Sequence, residues 1–361
     1  MTPDHVLVLA WLVLAHLVAD FLLQSDGIVA DKQGDGRRAW RGFVAHGAAV
    51  ALCLTPFCLA FGVPGLGLLL VITAGHVLID VWKTRATRAA ERRTDAAVRR
   101  RDDDGTTPEA LGPEALGPEA PGPEAPGPEA LGPAWTPVPA LLFALDQLFH
   151  VALIGAAWLV FLARGGPTAE WTALVDRALD GFPAADIHRA SLLAAVVGSL
   201  LIVNVRAGAF FVATLVRPRG REDARPLVTT EPPPAEPPMP ASWRVRLGPL
   251  EAVAVPSRSD NVAVGAVTAG VVAVGAPVAH ASPIRIGATI GVLERLLIVI
   301  FVLSGAVAAI GFVVAAKTLA RFKQLDDRDF AEYYLLGTLA SVAVGLASAL
   351  LAQAVLGGLP T

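Results

Sequence analysis

The sequence predicts an all-α, polytopic transmembrane helix bundle, and three observations carry that prediction. Of 361 residues, 54% are hydrophobic and 17% charged, against about 45 to 50% and about 25% in soluble domains. The apolar residues, chiefly Ala, Val and Leu, collect in long blocks, while most of the prolines and charges fall between them. Seven of these blocks reach the roughly 20 residues that a helix rising about 1.5 Å per residue needs to cross hydrocarbon. The 29 Lys and Arg against 32 Asp and Glu leave a net charge of −3, which gives the whole chain no basis for nucleic-acid binding. Cys53 and Cys58 fall in one apolar block, which excludes a disulfide framework or a cysteine metal knuckle.

The spans are expected at residues 6–24, 42–61, 65–83, 138–163, 190–216, 291–317 and 333–356. Nothing basic precedes the first block, His16 and Asp20 interrupt it, and no small-residue cleavage site follows. It is therefore read as a retained span rather than a signal peptide. The third block runs into Lys83, Arg85, Arg88, Arg92, Arg93, Arg99, Arg100 and Arg101, and the positive-inside rule makes that segment cytoplasmic. Counting back places the N-terminus outside, and counting forward places Arg217, Arg219, Arg221 and Arg225 inside. Seven spans then leave the loop bearing Lys317, Arg321, Lys323 and Arg328 outside. An eighth crossing through residues 262–278 would bring it in, and is kept as the alternative. A multi-pass protein of the bacterial inner membrane, with the lipid bilayer as its first partner, is the expected setting.

Two linkers divide the spans. Residues 84–137 begin basic and continue, from 108 to 133, as a five-residue Gly-Pro-Glu-Ala-(Leu or Pro) repeat, which reads as an extended spacer without a core. Residues 217–285 include Glu231-Pro-Pro-Pro-Ala-Glu-Pro-Pro and are expected to be largely disordered. The organisation is thus spans one to three in 1–83, spans four and five in 138–216, and spans six and seven in 286–361.

Ionisable residues within spans mark either function or a buried partner. Span one carries His16 and Asp20, span two His46, span three His76 and Asp80, and span four Asp146, Gln147 and His150. Each His/Asp pair is spaced i, i+4, which stacks both side chains on one helix face. Counted from the cytoplasmic ends, Asp20, His46 and Asp80 lie roughly 5 to 6 Å deep, His16, His76 and Asp146 roughly 10 to 12 Å, and His150 roughly 16 Å. Such agreement across four helices is what one shared site requires. Gln24 and Lys83, at the inner ends of spans one and three, suit headgroup recognition or anchoring. Glu294, Arg295, Lys317 and Arg321 read as interfacial anchors that snorkel to headgroups. Gly305 with Ala309, and Gly337 with Ser341 and Gly345, form small-xxx-small rows suited to close packing within the bundle or between protomers of a homo-oligomer.

The run His16-Leu-Val-Ala-Asp20-Phe21-Leu-Leu-Gln24, with Lys32, His46, His76-Val-Leu-Ile-Asp80-Val-Trp-Lys83 and Asp146-Gln147-Leu-Phe-His150, resembles the signature of the bacterial and phage membrane family DUF3307. Residues around Glu294 and Arg295, Ile310 to Phe312, Lys317 with Arg321, and Glu332 to Thr338 resemble the C-terminal part of its longer members. The resemblance implies a membrane protein and marks these residues, but brings no activity with it.

Three readings of the cluster follow. His16, His46, His76, His150 and Asp146 could ligate a metal, Zn²⁺ being the ion that neutral imidazoles with carboxylates suit. Asp20 or Asp80 would then act as general base on a metal-bound water, making an intramembrane hydrolase. Alternatively, the pairs satisfy one another in a structural network within a non-catalytic scaffold or regulator. The third reading is a proton or ion pathway of a coupled transporter. No helix carries the His-Glu-x-x-His zinc signature, which weighs against a familiar zinc enzyme.

Overall fold

The computed structural model describes residues 3–103, 136–216, 243–247, 250–254 and 283–357. Span one is α1 (Pro3–Val18) closed by a π turn (Ala19–Leu23), followed by a short helix, α2 (Asp26–Lys32), whose first turn is capped by the Ser25 hydroxyl accepting from the Ile28 amide. Span two is α3 (Gly36–Phe61) and span three is the first part of α4 (Val63–Asp103). The expected end of span three at Lys83 is only the membrane end of α4. The helix runs on through a segment rich in Ala and Arg, both strong helix formers, to about 60 Å in all. Span four is α5 (Val138–Phe161), α6 (Ala169–Ala178) joins it to the next span, and span five is α7 (Ala184–Ile202), a second π turn (Val203–Ala207) and α8 (Gly208–Val216).

Six helices among the described residues are long and apolar enough to cross a membrane. Their outer faces expose Leu52, Leu59, Leu70, Leu78 and Val160, while histidines, aspartates, Asn204 and Arg295 are buried inside. That inversion of the usual soluble arrangement suits a lipid surround. Leu12, Val50, Leu54, Leu68, Ile72, Ile154 and Trp158 form an apolar core among the first four spans.

The expected sixth span is not one helix. It divides into α9 (Pro283–Leu303) and α10 (Ala309–Ala320), separated at Ser304 to Ala308. Gly305 there has φ of +76°, a conformation that residues bearing a Cβ rarely adopt. The chain doubles back, and Lys317 of α10 reaches Glu294 of α9. The final helix, α11 (Arg328–Leu356), runs parallel to α9: Arg295 bonds Ser341, and Gly345 lies against Ile298. It runs antiparallel to α7 and α8, since Gly337 faces Val216 and Ser348 bonds Asn204. The end of α8, the start of α9 and the Arg321 to Arg328 connection therefore share one side of the bundle. Those basic residues thus lie on the same side as Val216, the last described residue of α8.

Residues 220–282 form a separate unit, whose described part is an antiparallel hairpin of β1 (Trp243–Leu247) and β2 (Leu250–Ala254). These ten residues pair as strands, as the alternating Trp-Arg-Val-Arg-Leu pattern permits. The Pro/Glu repeat and residues 262–278 lie outside the described residues.

Candidate functional site

Each i, i+4 pair occupies one helix face, and α1, α3, α4 and α5 turn these faces toward one another. The His16 ring stacks on His150 at 5.0 Å, His150 lies 4.0 Å from His76, and His76 lies 4.9 Å from His46, centroid to centroid. All four rings are buried.

Asp20 projects from the π turn ending α1, a distortion that recurs at functional sites. Its Oδ1 lies 3.3 Å from His46 Nε2 and 3.2 Å from His76 Nε2, and the two nitrogens are 2.8 Å apart. Asp80 Oδ2 stands 3.6 Å from His46 Nε2. Asp20 Oδ1 is buried yet accepts no aligned hydrogen bond, so the imidazole nitrogens approach it in distance but not in direction. A tetrahedral zinc with bonds of about 2.0 to 2.1 Å separates its ligand atoms by about 3.3 to 3.4 Å. The Asp20, His46, His76 triangle is close to that size, slightly contracted along the nitrogen–nitrogen edge.

The surrounding residues fix charge and orientation. Lys32 bonds Asp80 in the buried interior, and Lys83 Nζ donates to Asp146 Oδ2 at 2.6 Å. Gln147 Nε2 reaches Asp146 Oδ2 at 3.1 Å and Asp20 Oδ2 at 3.4 Å. His150 Nδ1 is 2.8 Å from the Asp146 backbone carbonyl. A proton on Nδ1 makes that contact a hydrogen bond and leaves Nε2, which has no partner, as a lone pair within the cluster. Both His16 nitrogens are likewise without a hydrogen bond. Three groups place ligand atoms within 4.8 Å of one another: His16, Asp20 and His76; His46, His76 and Asp80; and Asp80, Asp146 and His150. The described cluster thus sets the carboxylates of Asp20, Asp80 and Asp146 against the ammonium groups of Lys32 and Lys83. Asp20 faces only imidazoles and an amide.

Residues 8–99 match the model of the family described as protein of unknown function (DUF3307). The matched stretch holds His16, Asp20, Lys32, His46, His76, Asp80 and Lys83, while Asp146, Gln147, His150 and the C-terminal residues of the resemblance lie beyond it. Neither the curated proteins nor the solved structures contain a match to this chain.

The structure brings every expected cluster residue together except Gln24, which ends the π turn half-buried and makes no side-chain hydrogen bond to another described residue. Lys83, at the inner end of span three, pairs with Asp146. Lys32, marked by the resemblance alone and given no role in the cluster, joins the site as the partner of Asp80. It lies outside every apolar block, and α2 tucks it into the bundle by packing on α3 at Gly42, where a Cβ would come within 2.6 Å of the Lys32 amide nitrogen. A counter-charge deficit pointed to it: spans one to four carry three aspartates, with Lys83 as the one lysine at their ends. Glu294 and Arg295 are also corrected. They are 3% and 2% exposed and face the bundle interior, because α10 and α11 cover the face of α9 that a single straight span would have left to lipid.

Proposed function

We propose that the first four spans hold a divalent-metal centre, with Asp20 Oδ1, His46 Nε2 and His76 Nε2 as ligands and the fourth position left to water, in a membrane protein of the metal-dependent hydrolase class. The observation that carries this reading is the buried triangle of lone-pair atoms, of the size a zinc ion spans, with no aligned hydrogen bond to its carboxylate corner. Charge supports it, since a cation beside Asp20 neutralises the carboxylate that the two lysines leave unmatched. On this reading Asp20 is a ligand, Asp80 is held by Lys32 at the edge of the metal site, and His16 and His150 pack the ligand rings in place. A metal-bound water would be the nucleophile, with Asp80 the carboxylate placed to take its proton. Lys32 also lines a groove of about 910 Å³ between α3 and α4, together with Leu70, Val77, Leu78, Arg85 and Arg88. An amphiphilic substrate with an anionic head fits that combination of apolar wall and basic end. The basic residues after span three, with Arg321 and Arg328 on the same side of the bundle as the end of α8, support a cytoplasmic placement of this side and an outside N-terminus.

A hydrogen-bonded network without metal is the second reading. The 2.8 Å nitrogen–nitrogen contact of His46 and His76 favours it, because one imidazole can donate to the other at that distance. Conduction is disfavoured by the apolar core from Leu12 to Trp158 that fills the other half of the four-helix unit. Elemental analysis of the detergent-purified full chain separates the first two readings. The metal reading expects near-stoichiometric zinc or another divalent ion, lost in His76→Ala and Asp20→Ala but kept in His150→Ala. A metal-free protein after growth and purification in zinc overturns it.

A further inference from the structure

A second buried polar site lies in the other half of the protein and shares no residue with the His/Asp cluster. Helices α8, α9, α10 and α11 enclose a cavity of about 710 Å³. Arg295, 2% exposed, lines it. Its Nε donates at 2.7 Å to the carbonyl of Asn204 in the second π turn, and its Nη1 lies 3.3 Å from Ser341 Oγ. Both partners are neutral dipoles, and Nη2 has no partner. A guanidinium inside a membrane bundle is costly unless an anion meets it, and among the described residues no carboxylate lies within ion-pair distance. Three more cavity-lining atoms are buried without a hydrogen bond: Glu294 Oε1, the Tyr334 hydroxyl and Thr338 Oγ1. The other oxygen of Glu294 is engaged by Lys317 Nζ at 2.5 Å, and that ammonium lies 5.5 Å from the Tyr334 ring centroid. With Arg321 also on the lining, the cavity holds three cationic side chains against one carboxylate.

Cationic excess with two idle hydroxyls calls for an anion that accepts several hydrogen bonds, and phosphate is the biological anion with that capacity. The remaining lining, including Val212, Ile290, Leu293, Leu297 and Val313, is apolar, which a free ion does not need and an acyl chain does. One end of the cavity is at the level of headgroups. Lys317 lies one helical turn, about 6 Å, from Arg321, where α10 ends and the basic connection begins, while Arg295, on the twelfth residue after the start of α9, forms the deep end about 18 Å from that start. Glu294 Oε1 adds a criterion of its own, because as an acceptor it suits a headgroup that ends in a donor.

We propose that this cavity binds one phospholipid, its phosphate on Arg295 Nη2 and the Tyr334 and Thr338 hydroxyls, and an ammonium or hydroxyl of its headgroup on Glu294 Oε1. Phosphatidylethanolamine and phosphatidylglycerol carry such donors, and phosphatidylcholine does not. Native mass spectrometry of the delipidated full chain, titrated with each of these lipids as the dioleoyl form and separately with inorganic phosphate, tests the assignment. One phosphatidylethanolamine or phosphatidylglycerol should bind per chain, about tenfold more tightly than phosphatidylcholine, the step that one hydrogen bond to a charged group confers. Arg295→Lys should lose the bound lipid. The double variant Tyr334→Phe with Thr338→Val should bind about tenfold more weakly, yet melt no lower than wild type when lipid-free, because it removes two hydroxyls that have no partner. That double variant decides even if Arg295→Lys fails to fold. Binding of inorganic phosphate without lipid preference would overturn the lipid as the source of the anion. Equal lipid binding by wild type and the double variant overturns the site.

Discussion

Lys32 and Asp80 form a pair whose halves depend on each other. With Lys32→Met the Asp80 carboxylate stays buried beside His46 without its cation, and the expected loss is about 3 to 5 kcal/mol, read as a lowered melting temperature of the detergent-purified protein. Adding Asp80→Asn to that variant should recover most of the loss, since the stranded charge is then gone. A single variant as stable as wild type would show that the pair contributes nothing buried. Gly42 is the second residue with a defined consequence. A Cβ there meets the backbone of Asp31 and Lys32, neither of which is a flexible side-chain tip. Gly42→Ala should therefore cost about 1 to 3 kcal/mol, and in a cycle with Lys32→Met the two losses should fall short of additive, because both act by withdrawing Lys32 from Asp80.

Among the elements, the return of the chain through α10 has a consequence for topology. Cysteines introduced at positions 115, 219 and 325 should all be shielded from an impermeant reagent in intact cells, while one at position 2 should react. Labelling at 325 with 115 shielded would contradict the parallel arrangement of α9 and α11 as a membrane topology. Spans one to five were legible because their apolar runs are long and end in charge, and the convergence of His16, His46, His76 and His150 was legible because i, i+4 spacing and equal depth are properties of single helices. The break at Gly305 was not, because Ser304-Gly-Ala-Val-Ala-Ala is as apolar as what flanks it, and only backbone geometry separates α9 from α10. For the same reason Arg295 reads from sequence as a snorkelling anchor. Which face a neighbour covers depends on a helix that doubles back, and no window of sequence contains that. The place of Lys32 was hidden likewise, by a contact between α2 and α3 rather than by any pattern within either.

For the whole molecule, the described helices supply their own packing without the Pro/Glu repeat. Two apolar clusters, one among the first four spans and one joining α7, α9 and α11, hold the buried area. Deleting residues 108–128 should leave membrane insertion intact and shift the melting temperature by no more than a degree or two, about what a change of a few tenths of a kcal/mol produces. A collapse of folded yield on that deletion would show the repeat to be part of the core.

The pairing of Lys83 with Asp146 also sets an order of events during synthesis. The two residues are 63 positions apart, and at about 5 to 20 residues per second the ribosome takes about 3 to 13 s to pass from one to the other. Through that interval span three carries a lysine whose partner does not yet exist, while Asp20, Lys32, His46, His76 and Asp80 have all been made. The nascent protein is thus a half-built charge cluster waiting for one helix. A pulse-chase with limited proteolysis should find a transient susceptible species that disappears when α5 inserts, and that persists in Asp146→Ala. The number of residues between the two helices then sets how long the incomplete bundle lasts.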